Sequence, residues 1–250
     1  MSEDGRSVAG TAAGEVLLQI NRERLLDGSL LTAFRAGVPA GTRVRTDAEL
    51  DESLAQTLAG HDPCTDAYLF GYGSLMWNPA FDHDGEHRAL VRGWRRRFCL
   101  RSVFGRGSVT EPGLMLALDR GGACNGVAFR IGAAKVEHEL RLVWRREMLS
   151  GVYDARWLAA SIDGRPARVL TFVANRQHER YIDDIGIDEA ARLIATGRGT
   201  LGTCRAYFDA MIDAMRRMGI RDIAMERLRH ALAVSPDGTG ALGRLDAPAG

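Results

Sequence analysis

Hydrophobic and polar positions divide the 250-residue chain into three zones. In the first, residues 1–66, Val16, Leu17, Ile20, Leu25 and Leu31 recur at helical spacing between Glu15 and Phe34. The breaker Gly37-Val38-Pro39-Ala40-Gly41 follows. A second short helix is predicted over Asp47–Leu58, with Asp47 as its cap and Gly60 just past its end. This zone reads as a helical, partly mobile N-terminal extension.

The second zone, residues 67–232, carries the core. Ala67-Tyr68-Leu69-Phe70 is a short apolar run bounded by Gly71 and reads as a buried strand. Further strands are predicted over 97–103, 114–118, 126–131 and 168–174. Helices are predicted over 134–149, 188–195, 202–218 and 220–233, with Gly199–Gly202 forming the turn into the third. Strands early and helices late predict an α+β fold, with a mixed sheet or barrel and packed helices rather than a βαβ repeat. Residues 233–250, with Ser235-Pro236-Asp237-Gly238, are small and turn-rich, and are expected to be a disordered tail.

The 134–149 segment carries the sharpest chemical signal. On a helix, Val136, Leu140, Val143, Trp144, Glu147 and Met148 share one stripe. Five are apolar, and Glu147 stands where a leucine would be expected. Arg145 and Arg146 lie about 200° and about 100° away around the helix, so they are expected to cover the outer surface without neutralising it. A carboxylate on an apolar face must be paired, hydrogen-bonded or protonated. Burial also moves its pKa toward neutrality, as a general base requires. Periodicity alone leaves a structural ion pair and a catalytic group both open.

Phe70-Gly71-Tyr72-Gly73-Ser74-Leu75 runs from a strand into a G-x-G-S loop. Two glycines around one aromatic let the backbone turn and present N–H groups to an anion, although a plain turn uses the same residues. Met76 stands where a dinucleotide fingerprint would need a third glycine.

Composition narrows the classes. Lys+Arg 33 against Asp+Glu 32 gives no global field for nucleic acid or an anionic membrane. The longest charge-free run, Ala67 to Phe81, is shorter than the roughly 20 apolar residues a bilayer needs. Cys64, Cys99, Cys124 and Cys204 form no C-x-x-C pair and read as reduced thiols. The polar, acidic start is unlike a signal peptide, so a cytoplasmic protein is expected. His83 and His87, with Asp82, Asp84 and Glu86 around them, have the i, i+4 spacing of metal ligands but read as a solvated loop around Gly85. The basic and aromatic run from Arg92 to Arg101 reads as a strand with Arg95 and Arg97 facing solvent, and one of its arginines could meet a substrate carboxylate.

Taken together, these segments resemble the ChaC-like γ-glutamylcyclotransferases, which act on glutathione. Tyr68 to Pro79 looks like the family's opening strand and substrate loop. Arg92 to Cys99 and Pro112 to Leu118 look like the strands that follow. Trp144-Arg145-Arg146-Glu147-Met148 with Gly151-Val152-Tyr153 looks like the catalytic block, and the stretch from Ile194 to Asp222 looks like the closing helices. The resemblance covers about residues 67–232. It implies a γ-glutamylcyclotransferase-like barrel in which Glu147 is the catalytic carboxylate and Gly71, Tyr72, Gly73, Ser74, Leu75 and Met76 bind the γ-glutamyl group. Tyr153 and Tyr181 become candidate pocket hydroxyls. Phe104 to Thr110 departs from the shorter Arg-Gly-Thr stretch of many relatives, where the cysteinyl-glycine half would be read.

The expected reaction is cleavage of glutathione to 5-oxoproline and Cys-Gly, with no metal or organic cofactor. The expected partner is the small-molecule substrate alone, with the chain a monomer or weak homodimer. Another γ-glutamyl amide as substrate, or a non-catalytic binding protein on the same fold, are the competing readings.

Overall fold

The computed structural model describes residues 19–234. Its N-terminal part is helical, with α1 (Arg22–Leu26), α2 (Ser29–Gly37) and α3 (Asp47–Leu58). The single helix expected over Glu15–Phe34 is thus two, within the described residues. The chain breaks at Asp27-Gly28, where Gly28 takes a φ of 76° that other residues avoid. The bounds of α3 match the expected ones, but its cap is Thr46, not Asp47. Thr46 has extended backbone and accepts from the Glu49 amide, while Glu49 reaches back to Thr46, a reciprocal capping box.

Five strands close into a barrel in the order β1 (Ala67–Gly71), β3 (Gly113–Ile131), β2 (Gly85–Ser102), β4 (Tyr153–Ile162), β5 (Arg165–Ala174), with β5 returning to β1. Neighbours are antiparallel except where β5 meets β1 and β3, at Leu69↔Leu170 and Leu118↔Val173. The expected mixed barrel with packed helices is therefore present.

Its strands are longer than the apolar runs that announced them. Midway along β2 and β3, where the pairing register shifts, Arg92, Arg95, Arg120 and Gly121 are exposed, so the polar residues there mask the period. His87 accordingly lies in β2 opposite Ala128 and bonds Asp163 at 2.9 Å, rather than in a solvated loop. Strand β4 escaped prediction altogether. Asp154, Arg156 and Ser161 interrupt its apolar residues, and its strandness comes from pairing along all ten residues with β5.

The interior is filled by Leu69, Phe70, Leu116, Leu118, Phe129 and Phe172. Helix α4 (Val136–Glu147) packs on the barrel through Trp144, whose ring lies 5.4 Å from that of Phe172. Helices α5 (Ile187–Thr196), α6 (Cys204–Arg217) and α7 (Ile223–Val234) cluster together, and a two-residue-stranded hairpin, β6 (Arg198–Gly199) and β7 (Gly202–Thr203), leads into α6. No helix among the described residues is long and apolar enough to cross a membrane. The tail expected over 233–250 lies outside the described residues beyond Val234.

Candidate active site

The α4 stripe is buried as its period requires: Val136, Leu140, Val143, Trp144 and Met148 all belong to the core. Glu147 ends the helix with its side chain 14% exposed. Burial pushes its carboxyl above the ordinary 4.5, against the opposing pull of Arg146. That arginine corrects the sequence reading. Helical position points its Cβ away from Glu147, yet its long stem folds back and sets Nε 2.9 Å from Glu147 Oε1. The same guanidinium donates to the Ser74 hydroxyl at 2.9 Å and to the carbonyls of Asn78 and Pro79. Arg146 thereby ties the carboxylate to the glycine loop.

The loop leaves β1 at Gly71 and passes Tyr72 and Gly73 into a one-turn 3₁₀ helix, Ser74–Met76. It is fixed from behind by Arg96. This residue is 2% exposed, donates Nε–H to the Tyr72 carbonyl at 2.6 Å, reaches the Asn125 carbonyl, and pairs with Asp222 at 3.3 Å. Arg97 pairs with buried Asp119 at 3.0 Å. The two arginines are therefore internal struts, whereas Arg95 faces solvent as expected.

A cavity of about 440 Å³, within the usual size of a small-molecule site, opens beside Ser74, Glu147, Tyr153 and Tyr207. The N-terminal segment forms one wall of it through Ile20, Leu30 and Phe34. A smaller recess continues inward and is shared by Tyr72, Gly73, Ser74, Leu75, Glu147 and Tyr153. Six of the nine residues singled out from sequence thus meet around one recess, and Gly71 lies directly behind it against Leu75. A larger open depression of about 780 Å³, between β2 and the 218–221 turn, contains none of the nine.

Two of the nine are placed elsewhere. Met76 is buried with its sulfur 3.8 Å from Arg96 and lines neither space. Tyr181 does not reach the cavity. Its hydroxyl bonds Asp119 at 3.1 Å and receives bonds from Arg97 and Arg176. The Tyr153 ring lines the cavity, but its hydroxyl is committed to the Leu116 carbonyl at 2.8 Å, as that of Tyr72 is to Phe172. Burial raises both phenols well above their ordinary pKa.

Tyr207 and Arg180 line the cavity and were not singled out, and Arg106 lines it from within the divergent Phe104 to Thr110 stretch. The α6 period marks Tyr207 as inward-facing but cannot say whether it meets the core or a cavity. Cys99, Cys124 and Cys204 are buried, and desolvation lifts their thiols to about 12, about 11 and about 11. Among the described residues, no three His, Cys, Asp or Glu side chains converge as metal ligands would.

The ChaC-like family model matches residues 67–234. The Escherichia coli glutathione-specific γ-glutamylcyclotransferase is 36% identical over 210 residues, 84% of this chain and 90% of that protein. That span is too long to lie wholly after residue 66, so the likeness includes part of the N-terminal segment. The human glutathione-specific γ-glutamylcyclotransferase 1 is 31% identical over 61% of this chain and 71% of its own. The crystal structure of a glutathione-specific γ-glutamyl cyclotransferase from yeast shares the fold at a TM-score of 0.63, with 18% identity over 68% of this chain and 96% of that one. On a family match across two thirds of its length and this degree of identity, the chain belongs to the ChaC-like family.

Proposed function

We propose that the chain cleaves glutathione to 5-oxoproline and cysteinyl-glycine, with Glu147 as general base and then general acid. The observation that carries this reading is a single desolvated carboxylate opening onto the recess that the glycine loop also lines. The names of its relatives in Escherichia coli and human support the choice of glutathione.

The chemistry follows from the substrate. The γ-glutamyl α-ammonium is protonated near neutral pH and cannot attack. Glu147 accepts one proton, and the freed amine attacks its own γ-carbonyl to close a five-membered lactam. Glu147 returns this proton to the leaving nitrogen as the C–N bond to cysteine breaks, and the second proton shed by the ring nitrogen follows it, so that Cys-Gly leaves as an ammonium and the lactam keeps one N–H. One carboxylate of raised pKa serves both steps. Cyclisation is intramolecular, so holding the chain folded supplies a large part of the rate.

The Met76, Trp77 and Asn78 amides bond the Gly73 and Ser74 carbonyls, whereas the Ser74 and Leu75 amides begin the turn and have no acceptor within it. Those amides suit the α-carboxylate or the developing oxyanion, a contribution of about 3 kcal/mol for a well-placed donor. Gly71, Tyr72 and Gly73 shape the strand end that presents them. The hydroxyls of Tyr72 and Tyr153, each spent on a carbonyl, keep the walls rigid rather than exchange protons.

Incubating the purified chain with glutathione and following 5-oxoproline and Cys-Gly by mass spectrometry tests the reading. Stoichiometric appearance of both products is expected, with glutathione preferred over γ-glutamyl-alanine. Release of free glutamate instead of 5-oxoproline would make the chain a hydrolase and remove the cyclisation step.

A further inference from the structure

Four arginines besides Arg146 line the cavity: Arg101 is exposed and Arg145 donates to the Leu25 carbonyl, whereas Arg106 and Arg180 are partly buried and form no ion pair among the described residues. Arg180 is partly buried, and its Nε is shut off from solvent without a hydrogen-bond partner. Arg106, also partly buried, lies over the Tyr207 ring at 5.6 Å and forms no ion pair. Desolvation lowers both below the ordinary guanidinium value, yet an arginine remains charged at neutral pH. A desolvated charge without a counter-ion is costly, and a side chain free to move would turn out to solvent.

Neither group is on a segment free to move. The Arg106 loop is laid tightly on its neighbours. A Cβ on Gly107 would lie 2.1 Å from the Ser102 carbonyl, and one on Gly113 would lie 2.3 Å from that of Arg106 itself. Leu201 bonds the Gly105 carbonyl from the hairpin before α6. Arg180 sits on a segment paired to the end of β2, through Arg101 N–H to the Arg180 carbonyl and Ile182 N–H to the Cys99 carbonyl. Tyr181 clamps that segment from the other side onto Asp119 and Arg97. Among the described residues Glu147 is the only acidic one on the cavity wall, and Arg146 already engages it. The missing anion must therefore arrive with the ligand.

We infer that Arg180 and Arg106 form a carboxylate anchor for the end of the substrate remote from the reacting γ-carbonyl. Both arginines line the cavity of about 440 Å³ with Glu147 and Ser74, whereas the small inner recess beside Gly73 includes neither, so the pair stands on the outer wall, away from the glycine loop. This rests on the cyclotransferase reading and deepens it. A substrate is selected for a carboxylate beyond the scissile amide, as a γ-glutamyl dipeptide carries at its C-terminus. Planar guanidinium groups suit that partner because they bind carboxylate bidentately. Tyr181 is then a positioning residue that aims Arg180.

The test compares glutathione with its glycyl monoethyl ester, which keeps every reacting atom and removes only the distal charge. The wild type is expected to favour the acid by roughly tenfold or more in kcat/KM, as loss of a charge-assisted bond dictates. Arg180→Met should raise KM for glutathione by about the same factor while leaving the ester unaffected and kcat within about threefold. Arg180→Lys should restore part of the preference, and Tyr181→Phe should show a weaker form of the same split. Equal turnover of acid and ester by the wild type, or a variant that loses equally on both, would overturn the anchor and leave the cyclotransferase reading standing. Failure of the wild type on both compounds would remove that reading and this one with it. If Arg180→Met does not fold, the wild-type comparison still decides.

Discussion

Arg146 holds Glu147 at 2.9 Å while bonding Ser74 Oγ at 2.9 Å, so one guanidinium sets the distance between the carboxylate and the glycine loop. Its side chain is 4% exposed, so its charge acts through protein rather than water. Two opposed influences therefore meet on Glu147: burial raises its pKa and Arg146 lowers it, and burial prevails.

Removing the opposing influence has a defined sign. In Arg146→Met the Glu147 pKa rises further, and a base must be deprotonated to act. The acidic limb of the kcat/KM profile should move to higher pH, with activity near pH 6 falling far more than activity near pH 9. Arg146→Lys should shift it less. A limb that stays put in both variants would mean that a different group titrates.

The two loop glycines should respond differently to the same methyl group. A Cβ on Gly71 would lie 2.9 Å from Phe129 Cε2 and 3.1 Å from Leu75 Cβ, and Phe129 is wholly buried. Gly71→Ala is therefore an overpacking substitution that should cost about 1–3 kcal/mol of stability. On Gly73 the Cβ would meet Leu116 Cδ2 at 3.3 Å and the Tyr207 hydroxyl at 3.4 Å, both of which line the recess and can shift slightly. Gly73→Ala should leave the melting temperature nearly unchanged and raise KM. Paired thermal melts and Michaelis–Menten curves separate the two.

A second buried carboxylate fastens the N-terminal segment. Glu139 is 2% exposed, accepts Arg22 at 2.5 and 2.8 Å, and accepts the Asp82 amide at 2.8 Å. Arg22 keeps 29% exposure and can be hydrated if abandoned. Glu139→Gln should therefore cost about 1–3 kcal/mol rather than the 3–5 of a fully enclosed pair. These bonds hold the Glu139 pKa below its ordinary 4.5, although desolvation works against them. A group whose pKa is lowered by folding stabilises above its unfolded value and loses that contribution as pH falls through the folded one. The wild-type advantage in denaturant melts should persist down to about pH 5 and close below 4.5. Because Ile20, Leu30 and Phe34 line the cavity, the variant should also raise KM.

How far the sequence reveals this site depends on which residues carry a period. Glu147 was visible because a charge interrupts an otherwise apolar helical stripe, and the loop because two glycines follow a strand. Arg146 was misread because position around a helix fixes a Cβ and not the end of a four-bond stem. Tyr181 is turned to Asp119 and Arg97, and it is its neighbour Arg180, at the end of a turn, that lines the cavity. Arg106 stood out only as part of the divergent Phe104 to Thr110 stretch, and Arg180 gave no pattern at all. Their meaning lies in a missing counter-ion, which is a property of three-dimensional surroundings. Strand β4 was lost for a related reason, since its partner β5 supplies the order that its own residues do not announce.

Glu147→Gln separates catalysis from structure most cleanly. Glutamine keeps the shape and can accept from Arg146, but it cannot take a proton from the α-ammonium and return it to the leaving amine. A general acid–base group contributes about 10²–10⁴-fold in rate, and one that serves both steps should lie toward the upper end. Binding should survive, so glutathione should still raise the melting temperature of the inactive variant. The stability effect has its own pH signature. Because folding raises the Glu147 pKa, its contribution is complete below the unfolded value near 4.5 and is lost as pH rises through the folded one. The variant should therefore match the wild type in acid and exceed it in melting temperature at neutral pH, the gap growing with pH. Arg146 keeps its bonds to Ser74, Asn78 and Pro79, so it is not left bare. Activity within about threefold of wild type would fall far short of the expected factor and leave Glu147 as half of a structural ion pair.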